Sequence, residues 1–281
     1  MTQIFDQQRV RQAFDKAADS YDEAAVLQKE VCKRLLEKLD VVRLSPEWIL
    51  DAGTGTGEAV KSLQQRYKKA ELVLFDLSES MLKKAVKQGA FLRKPHQVCG
   101  NIESLPFADQ SFDLLFSSLA MQWCNDLGAA LTEFKRVLKP GALLQFATFG
   151  PDTLKELRAS WKKVDEAVHV NSFIDMHDIG DALLQEGFVE PVMESEIITV
   201  NYQEVDILMQ DLRDIGANVT ANGHRRGLLT RNMLQQLHDA YEGYRQDDVL
   251  PASYEIVYGH AWVSEPACSE GERDVEVIFN R

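Results

Sequence analysis

The amino-acid sequence predicts an α/β fold on a mostly parallel sheet, and three features carry that prediction. From residue 47 onward, short apolar runs alternate with helical stretches, the rhythm of βαβ units whose sheet is covered on both faces. A glycine-rich turn, Asp51-Ala52-Gly53-Thr54-Gly55-Thr56-Gly57, sits directly between the first of these runs and the first helix that follows it. The chain is also long enough to bury a full core: 281 residues, 45% hydrophobic and 27% charged, a balance that excludes disordered and collagen-like polymers.

Taken in order, residues 1–45 read as helical. Phe14, Ala17, Ala18, Tyr21 and Ala25 recur at helical spacing, and Leu27, Val31, Leu35 and Leu39 form a second stripe. Pro46 disfavours helix at the residue before it and ends the segment. Strands are expected over 48–51, 71–76, 97–99, 112–118 and 143–148, with helices over about 57–67, 79–89 and 127–138. Ser78 is placed to cap the second of these helices, its hydroxyl accepting from a free N–H of the first turn. Lys139-Pro140-Gly141 reads as a plain helix-to-strand turn. Beyond Gly150-Pro151 the rhythm breaks. Leu154, Leu157 and Trp161 suggest one helix; Ile179, Leu183 and Leu184 suggest another, stopped by Gly187. Two late strands, 194–202 and 254–263, flank a long and largely helical insertion, a length that points to a functional cover. The tail 264–281 reads as a loosely held terminus.

Charge and cysteine usage narrow the class further. With 31 Lys and Arg against 44 Asp and Glu, the net charge of −13 repels nucleic acid and anionic lipid, so an anionic partner must find a local basic patch. No apolar run approaches the length of a membrane span. The first residues lack a secretory core, and Cys32, Cys99, Cys124 and Cys268 form no CxxC pair. Reduced thiols and a cytoplasmic location are expected.

The glycine turn has a mechanical reason. A tight strand-to-helix turn needs backbone at positive φ and no Cβ where a ligand lies against the main chain, while the helix start offers unpaired N–H groups. The GxGxG spacing lacks both the dinucleotide fingerprint and the GK[ST] ending of a phosphate-binding loop. Asp76 closes the next strand, where a carboxylate can accept from both hydroxyls of a ribose. Turn and acid together indicate a nucleoside.

The ordered strings LDAGTGTGE, FDLSESML, GNIESLPF, FDLLFSSLAMQW and LTEFKRVLKPGALL resemble class I S-adenosylmethionine-dependent methyltransferases over about residues 47–150. The resemblance implies a Rossmann-like, seven-stranded, mostly parallel sheet with an antiparallel last strand and helical lid insertions. It implies that Asp51, Gly53, Thr54, Gly55 and Gly57 serve the methionine part and that Asp76 holds the ribose. It implies further that Leu77, Met81 and Leu119 wall the cofactor and that Asn101 and Ile102 lie at the adenine edge. The family commonly has Asp at the position of Asn101, whose side-chain oxygen can still accept from an amino group. The flanks, from Phe14-x-x-Ala17-Ala18-x-x-Tyr21-Asp22 through Ser118-Leu119-Ala120-Met121-Gln122-Trp123-Cys124 to Leu229-Thr230-Arg231, are similar to the malonyl-acyl-carrier-protein O-methyltransferase family of biotin biosynthesis. That likeness runs from about residue 8 to 263.

The implied reaction can be weighed against the residues. A carboxylate is already ionised at neutral pH, so attack on a sulfonium methyl needs alignment and no general base. None of the six histidines sits in a triad or metal spacing, and each is read as surface or structural; no metal is expected. An arginine fork suits a substrate carboxylate and loses its partner once the neutral ester forms. Arg158 and Arg231 are the candidates. Tyr21 is expected to close over the cofactor with its hydroxyl near the carboxylate, and Gln122 and Trp123, following the fourth strand, to wall the active site.

Between residues 215 and 231 lie Arg225, Arg226, Arg231 and His224 with no acid, a basic island suited to docking an acidic acyl carrier protein through Arg225 and Arg226. The expected organisation is a lid over 1–45, a cofactor core over 46–150, and the rest of the fold over 151–263 with covers at 151–172 and 203–250. The expected partner is malonyl-acyl carrier protein, or malonyl-coenzyme A, with no nucleic acid and no membrane, the enzyme working as a monomer. Three alternatives stay open: O-methylation of a small dicarboxylate, C-methylation of a quinone precursor, and a cofactor-binding assembly factor without methyl transfer.

Overall fold

The computed structural model describes residues 4–219, 221 and 230–265. The N-terminal helical reading resolves into three pieces, α1 (Gln7–Ala17), α2 (Tyr21–Ala24) and α3 (Val26–Glu37). Asp6 caps α1 by accepting from the backbone N–H of Gln8 and Arg9. Ser20 interrupts the run, its hydroxyl donating to the carbonyls of Ala17 and Asp214.

The core then alternates β1 (Trp48–Ala52), α4 (Val60–Arg66), β2 (Glu71–Asp76), α5 (Glu79–Ala85), β3 (His96–Cys99), β4 (Phe112–Ser118), α6 (Leu127–Val137) and β5 (Leu138–Phe149). The remainder is α7 (Lys155–Trp161), α8 (Met176–Gln185), β6 (Phe188–Tyr202), α9 (Val205–Asp214), α10 (Arg231–Glu242) and β7 (Leu250–Val263). Ser78 caps α5 through the Met81 N–H, as its sequence position indicated.

The seven strands form one sheet in the order β3-β2-β1-β4-β5-β7-β6. All neighbours are parallel except β7, which runs antiparallel to both β5 and β6. The order reverses between β1 and β4, so the crevice at their carboxyl ends is where such sheets take ligands. Two apolar layers cover the sheet: α3, α4, α7 and α10 contribute to one core, α6 and α8 to the other. A third cluster of Phe5, Val10, Val219 and Ala221, packed with Phe14, Leu77 and Trp123, joins the N-terminal helix to the insertion after α9.

Three strands are longer by four residues or more than their apolar runs suggested. β5 begins at Leu138 because Pro140 and Gly141, at φ +74°, sit inside a register shift between the Phe112 and Leu114 pairings. What reads as a turn is a bulge within the strand. β6 starts at Phe188, directly after Gly187 at φ +78°, and β7 starts at Leu250. Cross-strand pairing from Phe188 to Tyr202 recruits residues whose own pattern is not strand-like.

Candidate active site

The strand tips and the N-terminal helix enclose a cleft of about 650 Å³. Gly53, Gly55, Asp76, Leu77, Met81, Asn101, Ile102 and Leu119 line it together, with Gly100, Ser118 and Ala120 between them and Gln7, Val10 and Phe14 of α1 as roof. The turn is pinned by its neighbour strand: the N–H groups of Gly53 and Thr54 both donate to the Phe75 carbonyl at 2.7 and 3.1 Å. Gly53 stands at φ +81°, and a Cβ there would collide with the Ala120 side chain. Gly55, at φ +54°, has open space where a Cβ would project, so its main chain faces the cleft bare.

Asp76 accepts from the Gly55 N–H at 2.9 Å and from the Ser78 N–H at 2.8 Å. Burial pushes its carboxyl up to about 6 against these hydrogen bonds. Asp51 is buried behind the turn, its Oδ2 accepting from the Thr54 hydroxyl at 2.6 Å. Burial pushes it up to about 7, the Thr54 bond opposing and the nearby Asp76 adding.

Asp51, Thr54 and Gly57 therefore do not reach the cleft wall as expected; they brace it. A Cβ on Gly57, at φ +93°, would come 2.7 Å from the Ala85 Cα of α5, so that glycine serves helix packing. Asn101 reaches the wall, but its Oδ1 already accepts from the Glu103 N–H at 3.0 Å. Glu103 in turn accepts from the N–H groups of Asn125 and Asp126, and Asn125 grips the backbone of Phe5 in both directions.

The roof is latched at three further points. Asp15 accepts from the Ser78 hydroxyl at 2.6 Å and from the Ser80 N–H at 3.1 Å, and Asp22 accepts from the Thr56 hydroxyl at 2.6 Å. Trp123 stands between Phe5 and Phe14, both edge-on with centroids 5.4 and 5.3 Å away.

A second cleft of about 790 Å³ adjoins the first, and Phe14, Tyr21, Leu119 and Trp123 belong to both. Its remaining wall comes from α3, β5, α7, α9, β7 and the segment after α7, with Gln28, Gln122, Thr153, His169, Asn171 and Tyr254 as polar members. No Lys, Arg, Asp or Glu lines it among the described residues. Tyr21 is held protonated far above the usual phenol range by burial, then by the charges of Asp76 and Asp22. Leu119 adopts φ +52°, an uncommon conformation for a branched residue that marks a functional turn. Gln122 is on the wall, yet its amide donates to the Leu119 carbonyl at 2.6 Å and accepts from the Thr148 hydroxyl at 3.3 Å.

The structure places neither candidate arginine on a cleft wall. Arg158 donates to the carbonyls of Pro151, Thr153 and Asn171 at 2.9, 2.8 and 3.2 Å. It clamps the loop before its own helix, and burial lowers its pKa. Arg231 opens α10 in an exposed position and does not line either cleft. Arg225 and Arg226 lie outside the described residues.

Sequence reasoning missed the roof residues Gln7 and Val10 and the chamber residues His169 and Asn171. None carries a local pattern, because each meets the cleft only through tertiary packing. Cys32, Cys99 and Cys124 are free thiols. No metal-ligating cluster and no membrane-spanning helix occurs among the described residues.

Residues 50–146 match the family model described as a methyltransferase domain. A protein of Methylovorus sp. (strain MP688) bearing the name malonyl-[acyl-carrier protein] O-methyltransferase is 49% identical, over 92% of this chain and 90% of its own. One of the same name from Laribacter hongkongensis (strain HLHK9) is 50% identical over 93% and 92%. Among solved structures, the phosphoethanolamine N-methyltransferase 2 of Haemonchus contortus in complex with S-adenosyl-L-methionine superposes with a TM-score of 0.53 at 15% identity, covering 89% of this chain and 57% of that one. The YcgJ protein of Bacillus subtilis superposes with a TM-score of 0.59 at 15% identity, covering 84% and 99%. At that identity these likenesses speak for the shared fold alone. The sequence relatives go further, because they match over more than nine-tenths of this chain at about half identity: this chain belongs to the malonyl-[acyl-carrier protein] O-methyltransferase family.

Proposed function

We propose that the protein transfers a methyl group from S-adenosylmethionine to the free carboxylate of a malonyl group on an acyl carrier protein, giving the methyl ester that primes biotin synthesis. The observation that carries this reading is the pair of clefts sharing the wall Phe14, Tyr21, Leu119 and Trp123. One has the donor set for a cationic nucleoside; the other has no acid and no strong base among its described lining residues.

The donor cleft fits S-adenosylmethionine on its own chemistry. Gly55 leaves room for a ligand against the main chain. Asp76, whose carboxyl burial pushes up to about 6, gains by accepting from hydroxyls, and two carboxylates at neighbouring strand tips favour a cation nearby. Bound there, the sulfonium supplies an electrophilic methyl group.

The chain's residues then supply placement. The roof of α1 and Trp123 excludes water, and Tyr21, neutral and half-enclosed between the clefts, can donate a hydrogen bond without competing for the methyl. An ionised acceptor needs no proton removed, so fixing it in line is the whole task, and orientation of that kind is worth several kcal/mol. The carrier docks on the island of Arg225 and Arg226, whose local positive charge stands against a chain of −13. The enzyme works as a monomer in the cytoplasm.

The test incubates the protein with S-adenosylmethionine and malonyl-carrier and follows the carrier by mass spectrometry. A gain of one methylene on the malonyl group supports the reading; no gain, with methylation of a free dicarboxylate instead, replaces it. Reversing the charge of Arg225 and Arg226 lowers turnover of malonyl-carrier more than that of a small malonyl thioester, and equal losses would remove the docking island.

A further inference from the structure

We propose that His169 is the residue that receives the acceptor carboxylate, as an imidazolium, an inference that rests on the acceptor named above. A carboxylate entering a largely apolar chamber gives up its hydration and must recover it from a cation or fixed donors. Among the described residues lining the chamber, His169 is the one side chain able to carry positive charge.

The other candidate groups are held elsewhere or carry no charge. Arg158 gives its two terminal nitrogens to three carbonyls and does not line the chamber; Gln122 gives its amide to Leu119 and Thr148, and Gln28 is neutral. Asn171 donates to the Val219 carbonyl and accepts from the Ala221 N–H.

His169 is also held in place as a binding group is. Its ring lies parallel on Trp161, with centroids 3.7 Å apart and planes 8° apart, and its Nε2 is 2.7 Å from Asp165 Oδ1. Asp165 fixes the ring's orientation, and Nδ1 has no hydrogen-bond partner among the described residues.

With Nε2–H given to Asp165, a neutral ring offers a carboxylate only the Nδ1 lone pair, which repels it. The protonated ring offers a second N–H. The malonyl carboxylate therefore favours the protonated ring, and conversion to the neutral ester removes that preference. The other titratable groups at the chamber are Tyr21 and Tyr254, both held protonated by burial, so neither changes charge near neutrality. His169 thus distinguishes acceptor from product, and the methylated carrier leaves.

The experiment measures steady-state kinetics with malonyl-carrier for the wild type, His169→Gln and His169→Phe, with donor affinity by calorimetry as the check on folding. KM for malonyl-carrier is expected to rise about 30-fold in both variants with kcat changed less than about threefold and donor affinity unchanged. Wild-type KM should climb with rising pH, because only the protonated ring offers the second N–H, and the climb should vanish in His169→Gln. Affinity for the methyl-ester carrier should be the same in all three proteins.

An unchanged KM, a pH dependence that survives in His169→Gln, or a matching loss of ester affinity overturns the assignment. The wild-type pH profile decides without any variant: a flat one also overturns it. A wild type that leaves malonyl-carrier unmethylated defeats the acceptor reading and this inference with it, whereas methylation with unaltered variants defeats this inference alone.

Discussion

The donor cleft and the acceptor chamber share a wall but are assembled from different lengths of chain. The donor cleft is nearly all local: the turn Gly53–Gly57, Asp76 with Leu77, and Asn101 with Ile102 each follow a parallel strand by a residue or two. The chamber draws on α1, α2, α3, β5, α7, α9, β7 and loops, pieces that run from Phe14 to Tyr254. A site built from strand tips inherits its geometry from sheet hydrogen bonds. One built from covers depends on side chains gripping backbone, as Arg158 and Asn171 do. Substitutions in the first should therefore act on ligand binding through backbone shape, and those in the second on the stability of the cover.

The sharpest way to break that contrast is Gly53→Ala. A Cβ at φ +81° meets Ala120, so donor binding should be lost in calorimetry and stability should fall by about 3 kcal/mol from strain and overpacking. Wild-type affinity in this variant would show that the turn does not shape the cleft.

Asp76→Asn comes next. Losing the charge-assisted acceptor should weaken donor binding about 50-fold, or roughly 2.3 kcal/mol. Because burial raises this carboxyl to about 6 and the ionised form is the one that accepts, wild-type affinity should fall as pH drops through about 6 while the Asn variant stays flat. Titrations at several pH values decide it, and a parallel decline in both proteins would assign the effect elsewhere.

On the acceptor side, Arg158→Ala removes three hydrogen bonds to carbonyls from a half-buried position. Urea unfolding should register about 2 kcal/mol, with donor affinity intact; a selective rise in acceptor KM without destabilisation would restore the carboxylate-fork role.

The smallest effect belongs to the shared wall. Trp123→Ala removes both ring contacts to the roof and should weaken donor binding about tenfold, near 1.4 kcal/mol. Amide exchange should quicken over residues 5–17. Unchanged exchange there would mean that Asn125 and Asp15 hold the roof without the indole.

The same contrast explains what a linear reading could reach. Glu71–Asp76 and Phe112–Ser118 are observed at their expected bounds because an apolar run buried on both faces ends where burial ends. Gly53, Gly55 and Asp76 were legible through the conformational demand of the turn and the chemistry of the strand end. The role of Gly57 was not, since its constraint is Ala85, far along the chain. The hydrogen bonds of Arg158 are not legible either, because a guanidinium in a helix signals charge, while its partners, the carbonyls of Pro151 and Asn171, have no signature in side-chain sequence. His169 had no signal at all: its significance lies in Trp161 beneath it and Asp165 beside it, a local triplet whose spacing resembles any polar loop.

The common wall of Phe14, Tyr21, Leu119 and Trp123 stands between the two compartments. A ligand on either side bears on the same four side chains. Occupancy of one compartment is thus part of the shape of the other, and the order of arrival becomes a property of four side chains.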